Sequence, residues 1–221
     1  LATAPERVKK WKNPEGGYFH AMHSHDWGDF HYRITGKNEK GELQLEGGWQ
    51  NNRPMGIHPE NRMVENIFEE LDAPGEWYYD KQEGWLYYYP LSDENINELV
   101  FETPQLKNLI EIAGTSSHPV KNITIEGIEL TQTIRTFMEH YEPLLRSDWT
   151  IYRGGAVIFR GTEKCTLRDC YIHHVGGNGV FFDKYNRNSA VTGSYLTSIG
   201  ASAICFVGDV AGVRSPSFRY G

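Results

Sequence analysis

The sequence has little of what would place it in several common protein classes. No apolar run approaches the ~18 consecutive residues that mark a membrane helix, so no helical span is expected. No stretch is rich in lysine and arginine. With 22 basic against 29 acidic side chains the net charge is −7, which argues against a nucleic-acid backbone as partner. Cysteine is scarce, with Cys165, Cys170 and Cys205 making an odd total of three. That count, without a small-domain framework around it, argues for buried thiols rather than disulfides or zinc. The chain opens at Leu1 with no methionine and no recognisable signal sequence, so targeting is not readable from it. Glycine (23 residues) and aromatic side chains (13% of the chain) are plentiful, and feed turns and wide flat surfaces respectively.

The second half repeats itself. Cys165 to Ile172 recurs as Ser189 to Leu196, and Val175 to Phe182 recurs as Ile199 to Phe206, both at a spacing of 24 residues. Apolar positions, a tyrosine and a turn glycine keep register, and nothing between them has helical periodicity. Upstream, Gly155 to Phe159 lies 24 residues before Gly179 to Asp183. Asn122 to Leu130 matches Lys164 to Ile172 at 42, which places an insertion near residues 131–150, and Leu109 to Gly114 reads as an earlier strand. A unit this small cannot bury its own apolar face, so copies must stack into a continuous core. The expectation is an all-β chain whose residues 101–221 form a parallel β-helix (a solenoid). Leu167 should stack on Val191 and Val180 on Ile204, with the three cysteines inside. A β-sandwich with evenly spaced strands is the alternative.

Residues 1–100 lack the repeat and read as an antiparallel β module. Phe30 to Gly36 leads through a turn into Glu42 to Gly48. Trp77 to Asp80 and Trp85 to Tyr89, joined by Lys81 to Gly84, give the clearest hairpin signal. Their aromatic residues would cover both faces, one of them expected to join the core and the other open to stacking against sugar rings. Leu91 to Glu98 links this module to the repeats.

Three segments carry a resemblance: Trp49 to Arg53, Val64 to Asp80 (with its Glu70-Leu71-Asp72-Ala73-Pro74-Gly75-Glu76-Trp77-Tyr78 run) and Gly84 to Pro90. They resemble the N-terminal region of right-handed parallel β-helix glycoside hydrolases, family 141 in particular, in the pectin-lyase-like superfamily. Gly176 to Val180 and Gly200 to Asp209 are similar to its rungs. The resemblance implies a right-handed coil and a secreted or periplasmic protein acting on plant or host polysaccharide, with α-L-fucosidase and xylanase activities known in the family. The Gly/Asp-rich first rung typical of that group is not seen before Leu1, and its catalytic carboxylates are expected beyond residue 221. The chain therefore reads as an internal piece of a longer enzyme, inactive by itself.

On the residues present, two carboxyl groups flanking a glycosidic bond are what hydrolysis needs. Asp183 and Asp209 follow equivalent strands on successive rungs and are the best pair available, although aspartates after strands also commonly bind turn amides. His173 and His174 follow a strand and are expected to point to opposite sides, so that one of them can contact a sugar hydroxyl. Asn178, in the next turn, and Arg187 complete the expected substrate-contact set. Arg187 with Asp183 would also suit a polysaccharide lyase. The negative net charge favours neutral glycans over polyuronates and ranks hydrolase above lyase, and a non-catalytic glycan-binding module is the other alternative. His20, His23, His25 and His31 cluster with Asp26 and Asp29. There His23 and His25 would share a strand face, a pattern read as structural rather than as a metal site. The expected ligand is a polysaccharide or oligosaccharide, with no nucleic acid, no membrane span, no metal and no cofactor; the oligomeric state is not encoded in any readable signal.

Overall fold

A computed structural model of the protein describes residues 3–50, 56–143 and 150–209. Contacts divide the chain into two compact units, Leu1–Phe101 with Asp148–Thr150, and Glu102–Ser147 with Ile151–Gly221. Among the described residues no helix is long and apolar enough to cross a membrane.

The first unit opens with a single helical turn, Pro5–Val8, started by proline and burying Val8. Strands β1 (Tyr18–His23), β2 (Asp29–Lys37), β3 (Leu43–Gly47) and β4 (Ile57–Glu65) form an antiparallel sheet in the order β3-β2-β1-β4. β1 alternates strictly, with Phe19, Ala21 and His23 buried. Phe19 and Ala21 pack with Val8, Trp11, Ile34 and Ile67 into one cluster. Trp11 is fully buried, and its indole N–H donates to Glu70 Oε1 at 2.6 Å, so its one polar atom is satisfied.

Strands β5 (Trp77–Asp80) and β6 (Trp85–Tyr88) form the expected hairpin, as a separate two-stranded sheet. The expectation that one of its faces joins the core is not met. Tyr78, half-buried, and Tyr87, exposed, both meet the edge of Phe68, each 5.3 Å between centroids, while Trp77 and Trp85 are 55% and 64% exposed. A ribbon that adds to no larger sheet has no inner layer to face. Of the segment Trp49 to Arg53, residues 51–53 lie outside the described residues.

The second unit is built from parallel strands. The chain runs through β7 (Ile110–Ala113), β8 (Val120–Lys121), β9 (Thr124–Glu126) and β10 (Glu129–Thr133). Two short strands, β11 (Glu142–Pro143) and β12 (Thr150–Ile151), come next, where an insertion was expected. Then follow β13 (Val157–Glu163), β14 (Thr166–Arg168), β15 (Tyr171–Val175), β16 (Val180–Arg187), β17 (Ala190–Thr192), β18 (Tyr195–Ile199) and β19 (Ile204–Val207). They assemble into three parallel sheets, β7-β13-β16-β19 with β8 beside β13, β9-β14-β17, and β10-β15-β18. The chain therefore visits the three sheets in the same order on every pass. Leu167 pairs with Val191 and Val180 with Ile204, as the repeat requires, and the 42-residue match recurs as Leu130 against Ile172.

One register differs from the sequence reading. Val157 pairs with Val180, an offset of 23, whereas Thr162 pairs with Asn186, an offset of 24. The extra residue is a β-bulge in which Lys184 and Tyr185 oppose Gly161 alone. Corners are made by left-handed residues stacked above one another: Asn122, Lys164 and Asn188 at one, Gln132, His174 and Ser198 at another. The interior holds Ile112, Phe159, Phe182, Leu167, Ile172 and Val180 in one continuous cluster. Phe159, Phe182 and Phe206 stack face to face at 4.7 and 4.3 Å. Cys165, Cys170 and Cys205 are buried, as expected, and free. The backbone N–H groups of Cys165 and Cys170 donate to Ser189 and Ser194, their equivalents one turn on.

Candidate functional site

The bulge shapes a groove. Opposite Lys184 and Tyr185 the preceding turn carries Gly161 at φ +61, where an added Cβ would lie 2.3 Å from the Gly114 carbonyl carbon. Backbone therefore sits where side chains would otherwise stand, and an open trough of about 700 Å³ is left over the end of the sheet. Gly114, Thr115, Ser116, Arg160, Lys184, Tyr185, Arg187 and Asp209 line it. All belong to the second unit.

An ion network lies behind this lining. Asp183, the register partner of Arg160, is 2% exposed, and both its oxygens are taken. Oδ1 accepts from Arg153 Nη1 at 2.5 Å and Oδ2 from Arg160 Nε at 2.6 Å. Arg153 also donates to Glu142 and, at 2.7 Å, to the carbonyl of Gly208, the residue before Asp209. Burial works against the Arg153 charge, but the hydrogen bonds to Glu142 and Asp183 outweigh it and raise its pKa above the ordinary arginine range. Arg160 reaches Glu111 at 3.0 Å with its other arm. Tyr185 donates its hydroxyl to Glu163 at 2.6 Å, which raises the phenol pKa. Glu163 is held below the ordinary carboxylate range, first by Lys121 and then by Tyr185.

The expected site residues are dispersed by this arrangement. Asp209 and Arg187 line the groove together. Asp183 lies behind the lining, with no oxygen left to meet a substrate, and it positions Arg153 and Arg160. Asn178 is 5% exposed and serves the backbone: its amide donates to Gly154 at 2.8 Å and its carbonyl accepts from Ser202 N–H at 3.2 Å, pinning successive turns together. His173 and His174 lie on β15, in the sheet β10-β15-β18, away from the groove. They do not diverge as neighbours in a regular strand would. His174 is left-handed at φ +48, and the two Nδ1 atoms are 2.6 Å apart. His173 also bonds Glu129 at 2.6 Å and stacks on Tyr171 at 4.2 Å.

In the first unit, β1 ends at His23, so His25 falls in the turn instead of sharing a strand face. Its backbone N–H donates to the buried His23 Nδ1. His20 and His31 pair across β1 and β2, Nδ1 to Nδ1 at 2.6 Å. Among the described residues no three His, Cys, Asp or Glu side chains are grouped to hold a metal ion.

Sequence reasoning missed Arg153, Arg160, Lys184 and Tyr185. Arg160 was findable, because one register step sets it beside Asp183 with opposite charge. Arg153 sits in a segment without a repeat and left no periodic signal.

No family model and no curated protein matches this sequence. Among solved structures, a glycoside hydrolase is similar in fold, with a TM-score of 0.66 at 19% identity. The match covers 83% of this chain and 37% of that one, so the chain spans well under half of that protein's length. The likeness shows a glycoside-hydrolase-like, all-β fold with parallel sheets.

Proposed function

We propose that this chain is the saccharide-binding part of a glycoside hydrolase acting on plant or host polysaccharide. In this reading its second unit winds as a right-handed parallel β-helix of the family 141 kind, and a sugar lies in the groove beside the Lys184–Tyr185 bulge. The observation that carries the reading is the groove itself, on a fold shared with a glycoside hydrolase. Tyr185 offers a ring to the C–H face of a sugar, while Thr115, Ser116 and the charged side chains offer partners to its hydroxyls. Asp209 is the carboxylate at the groove wall. Arg153, through Gly208, fixes the backbone on which Asp209 stands, and Asp183 fixes Arg153. An exported protein, secreted or periplasmic, accords with such a substrate.

Hydrolysis uses two carboxyl groups, ~5–5.5 Å apart when stereochemistry is retained and ~6.5–9.5 Å when it is inverted. With Asp183 committed to two arginines, Asp209 is the one carboxylate among the described residues that line the groove. That observation favours, as a second reading, a glycan-binding module without catalysis. The test is reducing-sugar release from xylan, fucosylated and pectic oligosaccharides by this protein and by Asp209→Asn, with binding followed calorimetrically. Release that is lost in the variant while binding persists supports the hydrolase. Binding with no release from either protein selects the module, and neither binding nor release overturns both.

A further inference from the structure

The groove differs in sign from the chain around it. Its lining carries three cations, Arg160, Lys184 and Arg187, against one carboxylate, Asp209, in a protein of net charge −7. The three cations are not equivalent. Arg160 is answered by Asp183 and Glu111. Lys184 and Arg187 are both exposed, and among the described residues neither has a carboxylate at ion-pairing distance. Arg187 lies over the Tyr185 ring, 5.6 Å from its centroid. The carboxylate whose field it feels, Glu163, is held by Lys121 at 2.7 Å and by the Tyr185 hydroxyl.

Position reinforces charge. Lys184 is left-handed at φ +60, a conformation that costs a non-glycine residue roughly 1–2 kcal/mol, whereas glycine stands at the matching place one turn earlier. The bulge that requires this conformation is also what turns Lys184 and Tyr185 toward the trough, a use to which bulges beside binding sites are commonly put. The result is an ammonium on the lining of an open groove that also holds an aromatic ring with a guanidinium over it.

We infer that the ligand of this groove is an anionic saccharide, a sugar bearing a carboxylate or a sulfate, with its charge received by Lys184 and Arg187 and its ring lying on Tyr185. The inference rests on the saccharide reading of the same groove. The planar fork of Arg187 matches a carboxylate or sulfate through two parallel N–H bonds, and Lys184 adds a point charge beside it. It also reverses the preference for neutral glycans drawn from the net charge. Repulsion from charges spread over the chain is screened beyond ~8–10 Å at ordinary salt, whereas these two act at contact.

The test is calorimetric titration of this protein with three probes of similar length: a neutral xylo-oligosaccharide, an oligogalacturonide and a sulfated oligosaccharide. At low salt at least one acidic probe is expected to bind about tenfold or more tighter than the neutral one, with the advantage shrinking as salt is raised to ~0.15 M. The acidic probe that wins identifies the anion. The Lys184→Ala/Arg187→Ala double variant loses that advantage, so that acidic and neutral probes bind alike, and Lys184→Glu/Arg187→Glu inverts it. Both sites are exposed, so circular dichroism and melting profiles of the two variants should match the parent protein. Equal binding of neutral and acidic probes, or an acidic preference that survives both variants, overturns the inference and leaves the saccharide reading standing. Failure of all three probes to bind removes both.

Discussion

Asp183→Asn distinguishes a carboxylate that holds structure from one that reacts. The side chain is 2% exposed and bonded to Arg153 at 2.5 Å and Arg160 at 2.6 Å, and the Arg153 side chain is itself only 14% exposed. The amide keeps the shape and one acceptor oxygen, but it replaces the second acceptor by an N–H aimed at a guanidinium and removes the charge. Breaking a buried ion pair from one side costs ~3–5 kcal/mol, because the remaining charge stays buried without its counter-charge. Arg153 keeps Glu142 and Arg160 keeps Glu111, which argues for the lower end, ~3 kcal/mol. At this chain length each kcal/mol moves the melting temperature by ~2–4 °C, so a fall of ~6–12 °C is expected. Asp209→Asn, at a half-buried residue of the groove wall, should move it by less than Asp183→Asn does. Differential scanning calorimetry of the three proteins measures both. If Asp183→Asn melts with the parent protein while sugar turnover or binding collapses, the ion network is not what holds this carboxylate, and it belongs to the reacting groups.

Other expectations concern the core, pH and the thiols. Phe159→Ala, which removes the fully buried ring of the aromatic stack, should cost ~3–5 kcal/mol in urea unfolding. Phe206→Ala, at a ring 70% exposed, should cost under ~1 kcal/mol, and equal losses would contradict the stack as drawn. The Asp29 pKa is lowered, chiefly by its hydrogen bond to His31, so this carboxylate contributes stability that is present above the ordinary aspartate range and is lost as pH falls below it. The melting temperature of the parent protein should therefore exceed that of Asp29→Asn near neutrality and converge with it in strong acid; a gap independent of pH would refute the linkage. Cys165, Cys170 and Cys205 should all titrate as thiols in denaturant and react slowly with a thiol reagent in the native protein, and burial raises the Cys205 pKa further against reaction. An intramolecular disulfide in the unreduced mass spectrum would contradict this.

The parallel pairing was legible because stacking constrains equivalent positions directly. A side chain that must sit on its own counterpart leaves a periodic trace, as Leu167 on Val191 and Val180 on Ile204 do. The bulge at Lys184 and Tyr185 left none, since one added residue shifts the repeat by a single step, and a reading at constant spacing absorbs that step silently. The kink at His174 was hidden for a related reason: alternation assumes an extended backbone, and nothing in two adjacent histidines announces a left-handed one. Asp183 was singled out correctly as unusual but for the wrong task, because its partner Arg153 lies 30 residues away in a segment without repeats. The sign of the groove was missed because a sum over the whole chain says nothing about where Lys184 and Arg187 meet.

The stacked corners bear on how such a chain can change over time. Asparagine, lysine, glutamine, histidine and serine all occupy left-handed positions there, directly above or below one another. The corner is thus imposed by the strands on either side, and five residue types fill its six places. A substitution at a corner acts on the parallel strands on either side of it. Lineages built this way can diverge until little of the original text is shared while every turn still lies on the next. That accounts for a chain whose likeness to a glycoside hydrolase is plain in three dimensions at 19% identity and which no family model matches by its letters.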